Sequence, residues 1–161
     1  METTITSKIL IVDDDRELVE MYKLKFEKEW FDVMTAFDWF TALTLLWEFI
    51  PDVIFLDIMM PSMDGFETLS TIRKLAPSLE KSKIIMFSNL NSKEDIEKAI
   101  TFWADDFLLK SSTTPKQAVE KIKFYLQIDS NDNSHFSPHE NIQTDVTYCP
   151  HCWKNIYEIV D

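Results

Sequence analysis

Four short apolar runs in this sequence each end in a residue able to do chemistry. Lys8–Val12 runs into Asp13-Asp14-Asp15, Val53–Leu56 into Asp57, Lys83–Phe87 into Ser88, and Phe107–Leu109 into Lys110. One aspartate at such a place is an ordinary solvated turn former. Carboxylates from two runs, with a hydroxyl and an ammonium from two more, make a set. Three carboxylates brought within a few ångström cannot all stay ionised at neutral pH unless their pKa values rise or a cation sits among them. An all-oxygen cluster selects a hard ion, and few protein oxygens leave sites for water and phosphate, the arrangement that suits Mg2+. Lys110 adds a point charge matched to a phosphoryl oxygen.

To deliver these residues to one place the runs must be strands of a parallel sheet, because ligands gather outside the carboxyl ends of such strands. The first 127 residues alternate apolar runs with amphipathic stretches five times over, which is the βα pattern. The spacing predicts strands at 8–12, 31–35, 53–56, 83–87 and 107–109. Helices are predicted from Arg16 to Glu29, where Leu18, Tyr22 and Phe26 recur every fourth residue, and from the cap Asp38 through Leu46 until Pro51 stops the pattern. Three more run from the cap Asp64 to Leu75, from the cap Ser92 to Phe102, and from Thr114, with Pro115 at the first helical position, to Leu126. Residues 128–145, rich in Asn, Asp, Ser and His, read as a polar linker. Residues 146–161 form a tail too short for a core of its own without a metal or a partner.

At the strand ends the sequence resembles the receiver domain of response regulators, over residues 7–127. The resemblance is carried by Ile9-Leu-Ile-Val-Asp-Asp14, Val53-Ile-Phe-Leu-Asp-Ile-Met-Met-Pro-Ser-Met-Asp-Gly65, Ile84-Ile-Met-Phe-Ser88 and Ala104-Asp-Asp-Phe-Leu-Leu-Lys110. It implies an α/β fold, a doubly wound five-stranded parallel sheet of flavodoxin-like order 2-1-3-4-5, here followed by a short tail. It also implies a phosphoacceptor switch of a two-component phosphorelay, with Asp57 taking a phosphoryl group from a sensor histidine kinase or phosphotransfer protein. Asp14 and Asp57 would hold Mg2+ with the backbone carbonyl of Met59, and Asp13 would act mainly through bound water. Ser88 would hydrogen-bond a phosphoryl oxygen, Lys110 would pair with another, and the Phe107 ring would report the movement of Ser88.

Phosphoryl transfer needs in-line positioning and charge neutralisation more than a strong base, so this set suffices. A protein of this kind is a signalling switch and not an enzyme, beyond slow loss of its own phosphoryl group. Its output would be contact with a downstream protein, and whether it acts as a monomer or a homodimer is open. A second reading is a degenerate receiver that serves as a docking scaffold with a zinc-binding tail; the intact Asp14, Asp57 and Lys110 argue against it. A phosphatase of the haloacid dehalogenase kind would want an aspartate where Met59 stands.

Three departures from the family pattern carry expectations. Ser111 follows Lys110 where a proline after a cis peptide is usual, so the turn is either trans or strained, a cis bond without proline costing about 2.5–4 kcal/mol. Asn89 replaces a small residue and narrows phosphodonor access. Met59 and Leu90, two residues after Asp57 and Ser88, cannot orient an attacking water, so a long-lived phospho-form is expected.

Glycine is the composition's anomaly. Average usage of roughly 7% would give about eleven, and there is one, Gly65. Trp30 and Trp103 fall just after the first and fourth predicted helices and Trp153 just after Cys149-Pro-His-Cys152, all places that favour a residue free to take positive φ. Trp39 also stands in a turn where the family often has glycine, while Trp47 is ambiguous. Either some or all of the five are a reassigned codon read as Trp where the cell inserts Gly, or they are genuine and form an aromatic partner surface.

Sixteen Lys and Arg against 28 Asp and Glu give a net charge of −12, which repels nucleic acid and anionic lipid. The N-terminus has no basic stretch followed by an apolar one, and no apolar run approaches the roughly 18 residues that span a bilayer, so a cytoplasmic location without membrane insertion is expected. Cys149 and Cys152 have the spacing of one zinc-ribbon knuckle, which is half of a four-ligand site. His135, His139, His151 or a second chain could complete it; a reduced dithiol in a loose tail and thiol redox exchange are the other readings.

Overall fold

A computed structural model describes residues 6–61, 63–75, 79–89 and 92–130. In chain order its elements are β1 (Lys8–Val12), α1 (Arg16–Lys28), β2 (Asp32–Ala36), α2 (Trp39–Leu45), β3 (Val53–Leu56), β4 (Met59–Met60), β5 (Met63–Asp64), α3 (Gly65–Leu75), β6 (Lys83–Ser88), α4 (Lys93–Thr101), β7 (Asp106–Leu109) and α5 (Pro115–Ser130). Five of the strands form one parallel sheet in the order β2-β1-β3-β6-β7. With β4 and β5 set aside, that is the expected order 2-1-3-4-5.

The period of two along each strand decides which helices cover which face. Leu10, Val12, Ile54, Leu56, Ile84 and Met86 point to one side, where α2, α3 and α4 cover them with Ala42, Phe66, Leu69 and Ile96 among others. Ile9, Ile11, Val53, Phe55, Ile85 and Phe87 point to the other, against Val19, Tyr22 and Phe26 of α1 and Ala118, Val119 and Ile122 of α5. Both faces are buried, so the central strands read as continuous apolar runs. On the α1 side, Phe55 packs on Phe26 at 5.4 Å and on Phe87 at 5.8 Å, and Tyr22 meets Phe87 at 5.1 Å between ring centroids. Such aromatic pairs add about 0.5–1.5 kcal/mol each beyond their burial. They anchor the strands two residues before Asp57 and one before Ser88.

Several local features differ from the periodicity reading; β6 runs on to Ser88 and β7 begins at Asp106. The second strand begins one residue later, at Asp32. α5 continues to Ser130, into the stretch read as linker. Between Asp57 and α3 lies the antiparallel pair β4–β5, in which Met59 faces Asp64 and Met60 faces Met63; two residues per strand are too few to show a period. Residues 131–161, with Cys149, Cys152 and the candidate histidines, lie outside the described residues.

β7 is locked to α5 by a buried charge. The Asp106 carboxylate accepts from the Tyr125 hydroxyl at 2.9 Å and pairs with the Lys121 ammonium at 2.7 Å. Burial pushes this carboxyl above its ordinary 3.8, with Lys121, the Phe107 N–H and Tyr125 pulling the other way. Between 3.8 and the raised value the folded chain holds a proton that the unfolded chain has released, so stability falls as pH rises through that window. The fall is complete above the folded pKa. Asp106→Asn is expected to flatten it, since the amide carries no proton to release. Urea midpoints of both chains at several pH values check this, and parallel curves would remove it.

Candidate functional site

Parallel register brings the ends of β1, β2 and β3 level, and β6 and β7 end two residues further along the same edge of the sheet. Val12 is level with Ala36 and Leu56, Leu56 with Met86, and Ser88 with Leu109. The ladder then continues one residue past three strands: Asp13 N–H donates to the Ala36 carbonyl at 3.0 Å, Asp57 N–H to Val12 at 2.9 Å, and Lys110 N–H to Ser88 at 3.0 Å. The backbone of each site residue is therefore set by the sheet and not by a free loop.

The side chains converge. Asp13, Asp14 and Asp57 each place one carboxylate oxygen within 4.8 Å of the others. Asp13 and Asp57 are buried and Asp14 is exposed. Two of these carboxylates are held alike. Asp13 Oδ1 accepts the Asp15 N–H at 3.0 Å, and Asp57 Oδ1 accepts the Met59 N–H at 3.1 Å. The second oxygen of each faces Lys110, whose Nζ lies 2.5 Å from Asp13 Oδ2 and 3.1 Å from Asp57 Oδ2. Asp13 Oδ2 nevertheless accepts no hydrogen bond of good geometry, so the ammonium supplies it with charge but not with direction.

Charge crowding sets the electrostatics. Burial pushes the Asp13 carboxyl above 3.8, opposed mainly by Lys110 and the Asp15 N–H. Burial does the same to Asp57, the Asp13 charge adds to it, and Lys110 opposes. For Lys110 burial favours the neutral amine, but Asp13 and Asp57 outweigh it and raise its pKa. One ammonium stands against three carboxylates. An enclosed oxygen without a well-aimed donor, in an all-oxygen set with excess negative charge, fits a hard divalent cation.

Ser88 is fully buried at the end of β6, and the Phe107 ring is buried among the core side chains of the α2, α3 and α4 face. Asn89 and the Met59 side chain are exposed, and Leu90 lies outside the described residues. No cis peptide occurs among the described residues, so the Lys110–Ser111 bond is trans, the first of the two alternatives for that turn. Two residues named in the sequence reading without a role contribute here. Asp15 caps α1, its Oδ1 accepting from Leu18 N–H at 3.1 Å, while its own N–H fixes Asp13. Gly65 passes so close to Asp57 and Ile58 that its backbone N–H bonds the Ile58 carbonyl at 3.2 Å. The aspartate run could have suggested the first, since an N-cap signal precedes the helix; the second is the one glycine of the chain and ends the motif after Asp57, but its close packing on the backbone is not visible in the sequence.

Comparison with known families decides the assignment, because the response regulator receiver domain model matches residues 9–123, well over half of the chain. The chain belongs to that family. Solved receivers are similar throughout this span. The receiver domain of the Francisella response regulator 1452 is 30% identical with a TM-score of 0.70, covering 77% of this chain and 99% of its own. A CheY-like receiver from Methanospirillum hungatei is 29% identical with a TM-score of 0.71, over 80% and 99% of the two chains. The BeF3-activated DrrB receiver domain, from a Thermotoga maritima OmpR/PhoB homologue, is 25% identical with a TM-score of 0.68, over 76% and 99%. Membership sets the phosphatase reading aside. No helix among the described residues of this receiver is long and apolar enough to cross a membrane.

Proposed function

We propose that this receiver is a phosphorelay switch that takes a phosphoryl group onto Asp57 from a phosphohistidine of a kinase or phosphotransfer protein, and signals by contact with a downstream protein in the cytoplasm. The observation that carries the reading is the arrangement of Asp57: one oxygen tied to the Met59 N–H, the other facing an ammonium. A carboxylate fixed in this way presents one oxygen for in-line attack with little reorganisation. The Asp57 oxygen bonds to phosphorus as the bond from phosphorus to the imidazole nitrogen breaks, and the histidine leaves neutral after taking up a proton. Lys110 would then exchange a carboxylate partner for a phosphoryl oxygen, and Ser88, at the end of the neighbouring strand, would donate to another. Asp14, Asp57 and the Met59 carbonyl would hold Mg2+, with Asp13 acting through water. Held by these residues, such an ion would supply charge neutralisation to the transferring phosphoryl group.

The new group brings nearly two charges to a site already rich in carboxylates, which biases the surrounding loops between two arrangements. The switch is not an enzyme in the ordinary sense, since its one reaction is on itself. The test is mass. Wild-type chain held with acetyl phosphate and Mg2+ is expected to gain one phosphoryl group on the peptide containing Asp57, to lose that gain with EDTA, and to bind beryllium fluoride. No mass gain and no beryllium fluoride binding would overturn the proposal.

The phospho-form is expected to persist. Hydrolysis needs a water aimed in line, and Met59 offers an exposed apolar side chain where it would be held. Its half-life should exceed that of the Met59→Asn, Leu90→Glu double variant by about a hundredfold, the smaller end of what a positioned acid–base group contributes. Equal decay of the two phosphorylated chains, followed by intact mass after phosphodonor removal, would sink this.

A further inference from the structure

We infer that the cell makes this receiver with glycine at positions 30 and 103, from a codon that has been read as tryptophan. The two positions end their helices by the same device. At α1, Phe31 N–H donates back to the Phe26 carbonyl at 3.2 Å and Trp30 N–H to Glu27 at 3.0 Å. At α4, Ala104 N–H donates back to the Ala99 carbonyl at 3.0 Å. A bond from the sixth residue to the first closes only if the residue before the donor is left-handed. Trp30 has φ 67° and Trp103 φ 66°, and they are the non-glycine residues with positive φ among those described. The apolar contact that accompanies this motif is present too, Phe31 against Phe26 at 6.4 Å between centroids.

Any Cβ is unfavourable in that conformation, and for a bulky residue it is an outlier that needs a compensating contact. The indoles supply little compensation: Trp30 is 86% and Trp103 65% exposed. Glycine fits both positions without strain. Trp47 is exposed but its φ is not positive, and Trp39 is buried in the core, so the argument does not extend to them. UGA connects the two identities, being one base from the tryptophan codon UGG and one from the glycine codon GGA. The consequence is a changed surface. Helix ends and strand starts share the side of the sheet opposite Asp57, and glycine at 30 and 103 removes two exposed indoles that would otherwise look like a docking face there.

The gene and the protein from its own cells together test this. UGA at codons 30 and 103, with glycine masses in the peptides spanning those residues, is the expected result. Translation of the same gene under the standard code should then end at Glu29. UGG at either codon, or tryptophan mass in either peptide, overturns the inference. A recombinant chain carrying Trp30→Gly and Trp103→Gly should also melt roughly 4–8 °C higher than the tryptophan form, and an unchanged melting point would remove the strain on which the inference stands.

Discussion

The Asp57→Asn chain is expected to gain no phosphoryl mass from acetyl phosphate and Mg2+, and yet to unfold at a higher denaturant concentration than wild type when no divalent ion is present. The first half follows from the chemistry proposed for position 57, since an amide oxygen is a poor nucleophile and forms no acyl phosphate. The second follows from the crowding. Burial and the Asp13 charge both disfavour an ionised Asp57. Asparagine keeps an oxygen to accept the Met59 N–H, and Lys110 keeps Asp13 as its partner at 2.5 Å. What disappears is one of three negative charges served by one ammonium. A gain of about 0.5–2 kcal/mol is the scale seen when a strained functional group is relieved. Intact mass and a urea midpoint at neutral pH check the two halves separately. Residual uptake would move the acceptor elsewhere, and a lower midpoint would mean that the Lys110–Asp57 pair outweighs the repulsion.

The residues that crowd together are legible in the sequence. Asp13, Asp57, Ser88 and Lys110 each follow an apolar run directly, and parallel pairing brings Asp13 and Asp57 level, with Ser88 one residue and Lys110 two residues further along the same edge of the sheet. Chemistry at strand ends is thus encoded by adjacency, which a sequence displays. The aspartate run concealed a division of labour, because Asp13, Asp14 and Asp15 look alike as letters. Only the backbone path separates them into a buried carboxylate, an exposed one and a helix cap.

Other features were illegible for identifiable reasons. The Asp106, Lys121 and Tyr125 lock joins residues of two elements, and neither stretch alone marks its members as partners. Strand and helix limits moved by a few residues, as at Asp32 and Ser130, because pattern fades at the ends of elements before hydrogen bonding does. The helix ends at 30 and 103 went the other way. Their need for a left-handed residue was legible from position alone, and φ values of 67° and 66° agree with it despite the tryptophans.

Gly65→Ala is expected to damage both stability and phosphoryl uptake, although Gly65 touches no reacting atom. The reason is space and not dihedral freedom, since its φ is not positive. A Cβ at this position would lie 2.6 Å from Ile58 Cα and 2.9 Å from the carbonyl oxygens of Asp57 and Ile58. All three are backbone atoms, which cannot step aside as a side chain tip can. Either α3 or the segment carrying Asp57 must shift, and overpacking of this kind costs about 1–3 kcal/mol. Because the segment that shifts bears the acceptor, a displacement near 1 Å would slow in-line attack by about a hundredfold. Glu67→Ala, an exposed change in the same helix, should stay within about 0.5 kcal/mol of wild type and take up phosphoryl groups normally. Urea midpoints and the time course of mass gain read both effects. If Gly65→Ala lost stability but kept the wild-type uptake rate, the strain would have been absorbed by α3, and the close approach would serve the fold without serving the site.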